Sequence, residues 1–528
     1  MRLKDLTLRE KVYRTFITPI KRMRGEGTLK ELFDKYPIGG LYFAKGSAEG
    51  LIEEVPGEAT TTNDFVKKCR AASKHPLLVC ADGANIGDTG LKPCGSAALG
   101  ATESEELAYD YGKALGMQMN YNGIDWILGP CVDIPLFRFT ETVSGTMSDD
   151  HVYAAKMYRQ IVRGIQDQNV AATVKHFPGV GTHNVNMHIS PGHNTLPFDE
   201  WMNTFGYMYK EMFKEGAMCT MTSHITLRSY SDKADYGYAP IATHSKDITI
   251  GLLKKELGFD GVVVTDALTM GGCSIENQVE EAVAAFACGA DFLLWPPLEA
   301  GDRIVEEIEA GRIPMERLDD AIDRIQRFMD KLGMDESKAE RERMAADPSF
   351  VDKTFDETLQ RGITLIRNEV NNLPLDKNKN RILVDLVASE FIKNYSDEKL
   401  EGAEKLVEIL KSEGFEVDFK WNYTSFVDKQ MNEEIKNYDY IIIMLDTPYS
   451  VGATRDCFNS AWMINHLPTA KKVILNFSTP YFIDDYYPHE KTFVQINSPI
   501  YAEKMQPVAN AILGKVPMTG KLKMNIKI

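Results

Sequence analysis

Through about the first 300 residues, short continuous apolar runs alternate with amphipathic stretches. The runs are Ile38–Phe43, Leu77–Ala81, Ile124–Leu128, Ala171–His176, Ala217–Thr222, Gly261–Asp266 and Asp291–Trp295. None alternates apolar and polar residues cleanly, so each reads as a strand covered on both faces, as in a parallel sheet. Between them, Ser104–Asn120, Val152–Gln168 and Ile248–Leu257 carry helical patterns. Repeated strand–helix units of this kind fold as parallel α/β structures. Seven clear strands fit a (β/α)8 TIM-type barrel with one strand hidden; a doubly wound sheet is the alternative from the pattern alone.

The pattern changes after Asp335. Residues 336–360 are charged and helical, with the run Lys338–Arg343, and read as a solvated linker helix. A second α/β segment follows, with strands expected at Arg381–Val387, Phe415–Phe419, Tyr440–Leu445, Lys472–Phe477 and Thr492–Asn497. Helical patterns at Glu401–Ser412 and Tyr501–Leu513 fall between them. The expected organisation is a catalytic barrel over 1–335, a linker over 336–360 and a smaller three-layer α/β sandwich over 361–528.

Composition narrows the function class. The 528 residues carry a formal net charge of −16, which argues against a nucleic-acid partner, since such proteins present a basic face. The longest apolar runs, such as Tyr440–Leu445, are strand-length, so no membrane partner is expected. Met1–Phe16 mixes charges with single apolar residues and lacks the apolar core of a secretory signal, so a cytoplasmic location is expected. The eight cysteines are scattered without paired metal-ligand spacing and read as reduced, mostly buried thiols.

Polar residues gather just after the strands: Asp82, Asp133, Lys175–His176, Ser223–His224 and Asp266. In a parallel barrel these positions share the face that holds active sites. Two segments stand out. Lys175-His176-Phe177-Pro178-Gly179-Val180-Gly181 ends a strand with two donors and runs through a glycine-containing loop to Asn186-Met187-His188. The glycines predict few packing contacts, hence a mobile loop over Gly179–His188. Alternatively Lys-His merely ends a strand and the loop is only a turn. In Leu257-Gly258-Phe259-Asp260-Gly261-Val262-Val263-Val264-Thr265-Asp266-Ala267-Leu268-Thr269-Met270, a buried strand ends in a carboxylate, which either serves chemistry or caps the next helix.

These segments resemble glycoside hydrolase family 3 in order and spacing over nearly the whole chain. Tyr36-Pro37-Ile38-Gly39-Gly40, Leu77 to Asp82, Leu99-Gly100-Ala101-Thr102 and Gly129-Pro130 to Asp133 fit its first domain. Phe259 to Met270 is similar to its nucleophile signature. Ile363 to Asn368, Leu373-Pro374-Leu375 and Gly520-Lys521-Leu522 fit its second domain. The Lys-His-Phe-Pro-Gly loop is similar to the β-N-acetylglucosaminidase branch, where a mobile His replaces one of the two carboxylates most glycosidases use.

The resemblance implies Asp266 as nucleophile and His188 as general acid/base. It places Asp82, Lys175, His176 and Met270 in substrate binding and Asn186 where the branch has the Asp that supports the His. It implies a retaining exo-β-glycosidase acting on N-acetyl-β-hexosaminides, with a small-molecule carbohydrate as partner and no cofactor or metal. A β-glucosidase, a glycoside phosphorylase or a sugar-binding relative with little turnover are the alternatives. The departures are Asn186 itself, Asp82-Gly83-Ala84-Asn85 with Gly90 near an expected Arg, and Thr142–Met147 in place of Arg-Ser-Phe-Gly. Two sugar-clamping arginines are thus missing, with Arg138 or Lys92 as substitutes. Oligomeric state is not set by the sequence.

Overall fold

The computed structural model describes residues 3–23, 28–43, 62–82, 92–235, 239–273, 277–334, 343, 345, 347–388, 393–423, 433–447, 462 and 464–527. Contacts divide the chain into two compact units, each discontinuous in sequence. One comprises Met1–Leu91, Ala108–Thr140 and His151–Val351; the other comprises Lys92–Leu107, Glu141–Asp150 and Asp352–Ile528.

The first unit is an eight-stranded parallel barrel. Its strands are β1 (Phe16–Thr18), β2 (Gly40–Phe43), β3 (Leu78–Asp82), β4 (Trp126–Leu128), β5 (Ala171–Phe177), β6 (Cys219–Thr222), β7 (Val262–Thr265) and β8 (Leu293–Leu294). They pair in chain order from β1 to β7, and β8 pairs with β1. A parallel bridge between Val264 and Phe292 joins the two ends. The strand hidden in the sequence is β1, whose three residues are too short to show a period. The helix before it, Leu8–Tyr13, starts from a capping box in which Thr7 and Glu10 satisfy each other's backbone N–H groups.

Two buried aspartates fix the register at the N-terminal ends of the strands. Asp125, just before β4, accepts the Val79 N–H of β3 at 2.9 Å. It also pairs with Arg70 at 2.5 Å and Arg343 at 3.0 Å. Asp291, just before β8, accepts the Val263 N–H of β7 at 2.9 Å and pairs with Lys254 and Arg317, each at 2.9 Å. A buried carboxylate stays only where it is paired and hydrogen-bonded. Each therefore locks one strand to its neighbour and leaves the opposite face of the barrel for chemistry.

The second unit is built on a six-stranded sheet. Its strands are β9 (Thr364–Asn368), β10 (Arg381–Ala388), β11 (Glu416–Trp421), β12 (Tyr440–Asp446), β13 (Lys472–Asn476) and β14 (Thr492–Gln495). The order is β9-β14-β13-β12-β10-β11, antiparallel only where β9 meets β14. Edge strand β9 is mostly half-buried, so it lacks the apolar run that marks the others. Of the linker segment, the described part holds the helix Pro348–Gly362. Backbone bonds hold the early segments in this unit: Gly95 N–H donates to the Asn497 carbonyl at 3.0 Å, and Lys521 N–H to that of Ala101 at 2.9 Å.

Among the described residues seven cysteines form no disulfide, all buried except half-buried Cys131. No helix among them is long and apolar enough to cross a membrane.

Candidate active site

Because the barrel strands are parallel, their C-terminal ends share one rim. Asp82 ends β3, Cys131 to Asp133 follow β4, and Lys175-His176 lie at the C-terminal end of β5, just before Phe177. Ser223-His224 follow β6, and Asp266 follows β7. The architecture thus brings together Asp82, Lys175, His176 and Asp266.

Asp266 is half-buried, and its Oδ1 accepts the Ala267 N–H at 2.8 Å. Burial pushes its carboxyl up, but the charges of His176, then His224 and Lys175, outweigh that and hold it below the usual carboxylate range. Lys175 Nζ lies 3.1 Å from Asp82 Oδ1. Burial lowers this ammonium, and Asp82 and then Asp266 more than restore it, so the group stays charged. His176 donates its backbone N–H to Asp133 Oδ1 at 3.1 Å, and its Nδ1 lies 2.7 Å from Asp133 Oδ2. Burial disfavours the imidazolium, and the Asp133 charge reverses the balance and raises it well above the ordinary value. The result is a carboxylate facing two cations in a shielded pocket wall. A group kept ionised in this way is available as a nucleophile at neutral pH.

The loop from Gly179 to His188 is packed rather than loosely held, which corrects the expectation drawn from its glycines. Val180 and Met187 are buried. Val180 N–H reaches Asp133 Oδ1 at 2.9 Å, Asn194 Nδ2 reaches the Gly179 carbonyl at 3.0 Å, and Phe137 N–H reaches that of Gly181 at 2.7 Å. Gly179 and Gly181 have φ of +115° and +140°, and a Cβ would strike the Phe205 ring at one and the Ile134 carbonyl at the other. Glycine serves close approach here, not freedom. Downstream, the N–H groups of Gly271 and Gly272 donate to the carbonyls of His188 and Met187, each at 2.9 Å. The loop is therefore tied to the chain that continues from Asp266.

Within this fixed backbone, the side chains of Asn186 and His188 are exposed. Asn186 Oδ1 accepts the His188 N–H at 2.8 Å and lies 3.0 Å from His188 Nδ1. His183, in the same loop, is buried, and its Nδ1 accepts the Val185 N–H at 3.1 Å. Burial, aided by His193, lowers its imidazolium to about 4, so His183 is neutral at neutral pH and a poor proton donor. Met270 is buried in the turn after Asp266, where its N–H donates to the Ala267 carbonyl at 3.0 Å.

Four further residues complete the wall. Asp133, noticed in the sequence only as a polar strand end, positions His176. His224 is fully buried between Thr243 Oγ1 at 2.9 Å and the Ala267 carbonyl at 3.1 Å, next to Asp266. Burial lowers its imidazolium despite Asp266. Tyr42 at the end of β2 is raised by burial and then by Asp82, and Trp295 after β8 packs edge-on against it at 5.0 Å. Only their places at strand ends could have marked Tyr42 and Trp295. Of the missing-arginine region, 83–91 lies outside the described residues.

The comparisons agree with this geometry. Residues 7–328 match the glycosyl hydrolase family 3 N-terminal domain. A β-N-acetylglucosaminidase/β-glucosidase of Cellulomonas fimi is 27% identical over 460 residues, covering 80% of this chain and 78% of that protein. Beta-hexosaminidase A of Pseudoalteromonas piscicida is 25% identical over 58% of this chain and 55% of its own length. Among solved structures, a family 3 β-N-acetylglucosaminidase from Paenibacillus sp. str. FPU-7 superposes with a TM-score of 0.80 at 21% identity, over 98% of this chain and 99% of the other. A β-glucoside phosphorylase superposes at 0.83 and 22% identity, over 99% and 95%, and likewise shares the fold. With a TIM-type barrel, an α/β sandwich and a match to the family model over most of the chain, this protein belongs to glycosyl hydrolase family 3 and is a glycoside hydrolase.

Proposed function

We propose that the protein is a retaining exo-β-glycosidase acting on N-acetyl-β-hexosaminides. The observation that carries this reading is the place of Asp266: a shielded carboxylate at the end of β7, held ionised by His176, then His224 and Lys175. In the first step the Asp266 carboxylate attacks the anomeric carbon as the bond to the leaving oxygen breaks, and His188 gives that oxygen a proton. In the second step water attacks the same carbon, gives its proton to His188, and Asp266 leaves. Asp82, Lys175, His176 and Met270 bind the glycone. The resemblance of the loop to the β-N-acetylglucosaminidase branch and the Cellulomonas relative support this substrate class.

Phosphorolysis is the second reading, favoured by one observation. The partner of His188 is the neutral amide of Asn186, so the acid/base pair brings no carboxylate charge to repel an anionic acceptor. A panel of aryl N-acetyl-β-hexosaminides and β-glucosides, with and without phosphate, tests both readings. Release of free sugar supports hydrolysis, and sugar 1-phosphate supports phosphorolysis. Binding without turnover of any of them overturns both.

A further inference from the structure

The wall beside Asp266 adds to the Asp133–His176 pair a thiol, Cys131, that sugar binding does not account for. The Sγ of Cys131, a carboxylate oxygen of Asp133 and a ring nitrogen of His176 all lie within 4.8 Å of one another. Their arrangement is directional. Asp133 Oδ1 is taken up by the backbone N–H groups of His176 and Val180. Its Oδ2 faces Cys131 Sγ at 3.2 Å and His176 Nδ1 at 2.7 Å. One oxygen is thus oriented by the main chain while the other points into a cluster with one sulfur and one nitrogen. That is how supported metal ligands are held: the outer contacts aim the inner atom.

We propose that Cys131, Asp133 and His176 form an inhibitory site for a borderline-soft divalent cation, with Zn2+ the best match. The donor set is the reason. One thiolate, one imidazole and one carboxylate suit zinc and poorly suit magnesium or calcium, which take oxygen ligands. Three protein ligands leave a fourth position for water or substrate. Bonds of about 2.0–2.3 Å place tetrahedral ligands roughly 3.3–3.7 Å apart, so the two Oδ2 contacts need open by only about half an ångström. The ion replaces the thiol proton and the Nδ1 proton; both leave to solvent, and nothing is oxidised or reduced. Asp82 and Asp266 lie on the same rim, and Lys175 is already engaged by Asp82.

Inhibition follows from position, and this part rests on the reading of His176 as a sugar-binding residue. Opening the cluster moves the His176 ring off Asp133, and the divalent charge beside the pocket holds the Asp266 carboxylate and weakens it as a nucleophile. Displacements of this size cost about tenfold or more in turnover.

The test is a titration of the full-length, metal-free protein with Co2+ as a spectroscopic substitute for Zn2+. A sulfur-to-cobalt charge-transfer band in the near ultraviolet is expected, saturating at one equivalent, and it should vanish in Cys131→Ser. In parallel, Zn2+ should slow aryl glycoside turnover by about tenfold, reversibly with chelator, in the wild type but not in Cys131→Ser. Zn2+ should also protect Cys131 of the wild type from alkylation, located by peptide mass, a measurement that needs no variant. No band, a band or inhibition that persists in Cys131→Ser, or alkylation of Cys131 undiminished by Zn2+ overturns the proposal. The band and the protection do not depend on turnover, so they stand apart from a failure of the glycosidase reading.

Discussion

Asn186 Oδ1 faces His188 Nδ1 at 3.0 Å while also accepting the His188 N–H at 2.8 Å. An amide oxygen can only accept, so the neutral imidazole keeps its proton on Nδ1 and leaves Nε2 bare. The amide fixes the tautomer but lends no charge to the imidazolium. Aryl glycosides with good leaving groups, which need little protonation, should therefore turn over much faster than natural-type disaccharides. Asn186→Asp should raise kcat on poor leaving groups by about tenfold and on good ones far less. Steady-state kinetics of both proteins on both substrate types decide it; an equal or opposite effect would sink the role given to His188.

Removing the proposed nucleophile should be more drastic. Asp266→Ala should reduce turnover by about four orders of magnitude while the thermal transition stays near that of the wild type. Asp266→Asn keeps the acceptor for the Ala267 N–H and should fold equally well with the same loss. Near-normal activity in either variant would move the chemistry elsewhere.

The charges around Asp266 set a pH limit. Burial raises its carboxyl, but His176, His224 and Lys175 together lower it below the ordinary range. The ionised form then persists into acid solution, and the acid limb of kcat/KM set by this carboxyl should lie below the ordinary carboxylate range. Lys175→Met removes one lowering charge and should shift that limb upward. A limb that does not move in the variant would show that it reports another group.

Gly272 tests the tie between the loop and the strand. A Cβ there would lie 2.5 Å from the Met187 carbonyl and 3.1 Å from His224 Cβ. Gly272→Ala should displace the His188 backbone and cost about 10- to 100-fold in kcat, more on poor leaving groups, with the secondary structure intact by circular dichroism.

The opposite face of the barrel should answer in stability instead. Asp125→Asn leaves Arg70, buried with it, without its counter-charge. A loss of about 3–5 kcal/mol is expected, read as a lower unfolding midpoint in urea, with kcat unchanged in the folded fraction.

The barrel was legible because buried parallel strands are apolar throughout; seven of its eight strands show this, and five of them end in polar residues. β1 does not, since Phe16–Thr18 is shorter than any period. β9 does not, since its edge position leaves it half polar. Asp82, Lys175, His176 and Asp266 could be read as candidates from their places at strand ends. Met270, Asn186 and the part given to His188 came from likeness to a family. The pairing of Tyr42 with Trp295 depends on ring orientation across strands far apart in the chain, which no local pattern encodes. The loop was misread for a related reason: the same glycine letter stands for flexibility and for a tight fit, and only the neighbours tell which. The assignment of 92–107 and 141–150 to the second unit likewise rests on partners hundreds of residues away.

The ties that seat the His188 loop run through carbonyls and amide hydrogens, at Gly181, Met187 and His188. Such ties are blind to side-chain identity at the residues that supply the carbonyls. Asn184, His188 and Ile189 have exposed side chains and can be exchanged with these ties in place, whereas Asn186 also holds the His188 N–H through its Oδ1. The loop thus resembles an interchangeable cartridge on a fixed mount: under the proposed mechanism, replacing its exposed residues would alter the acid/base step while the barrel beneath is left as it was.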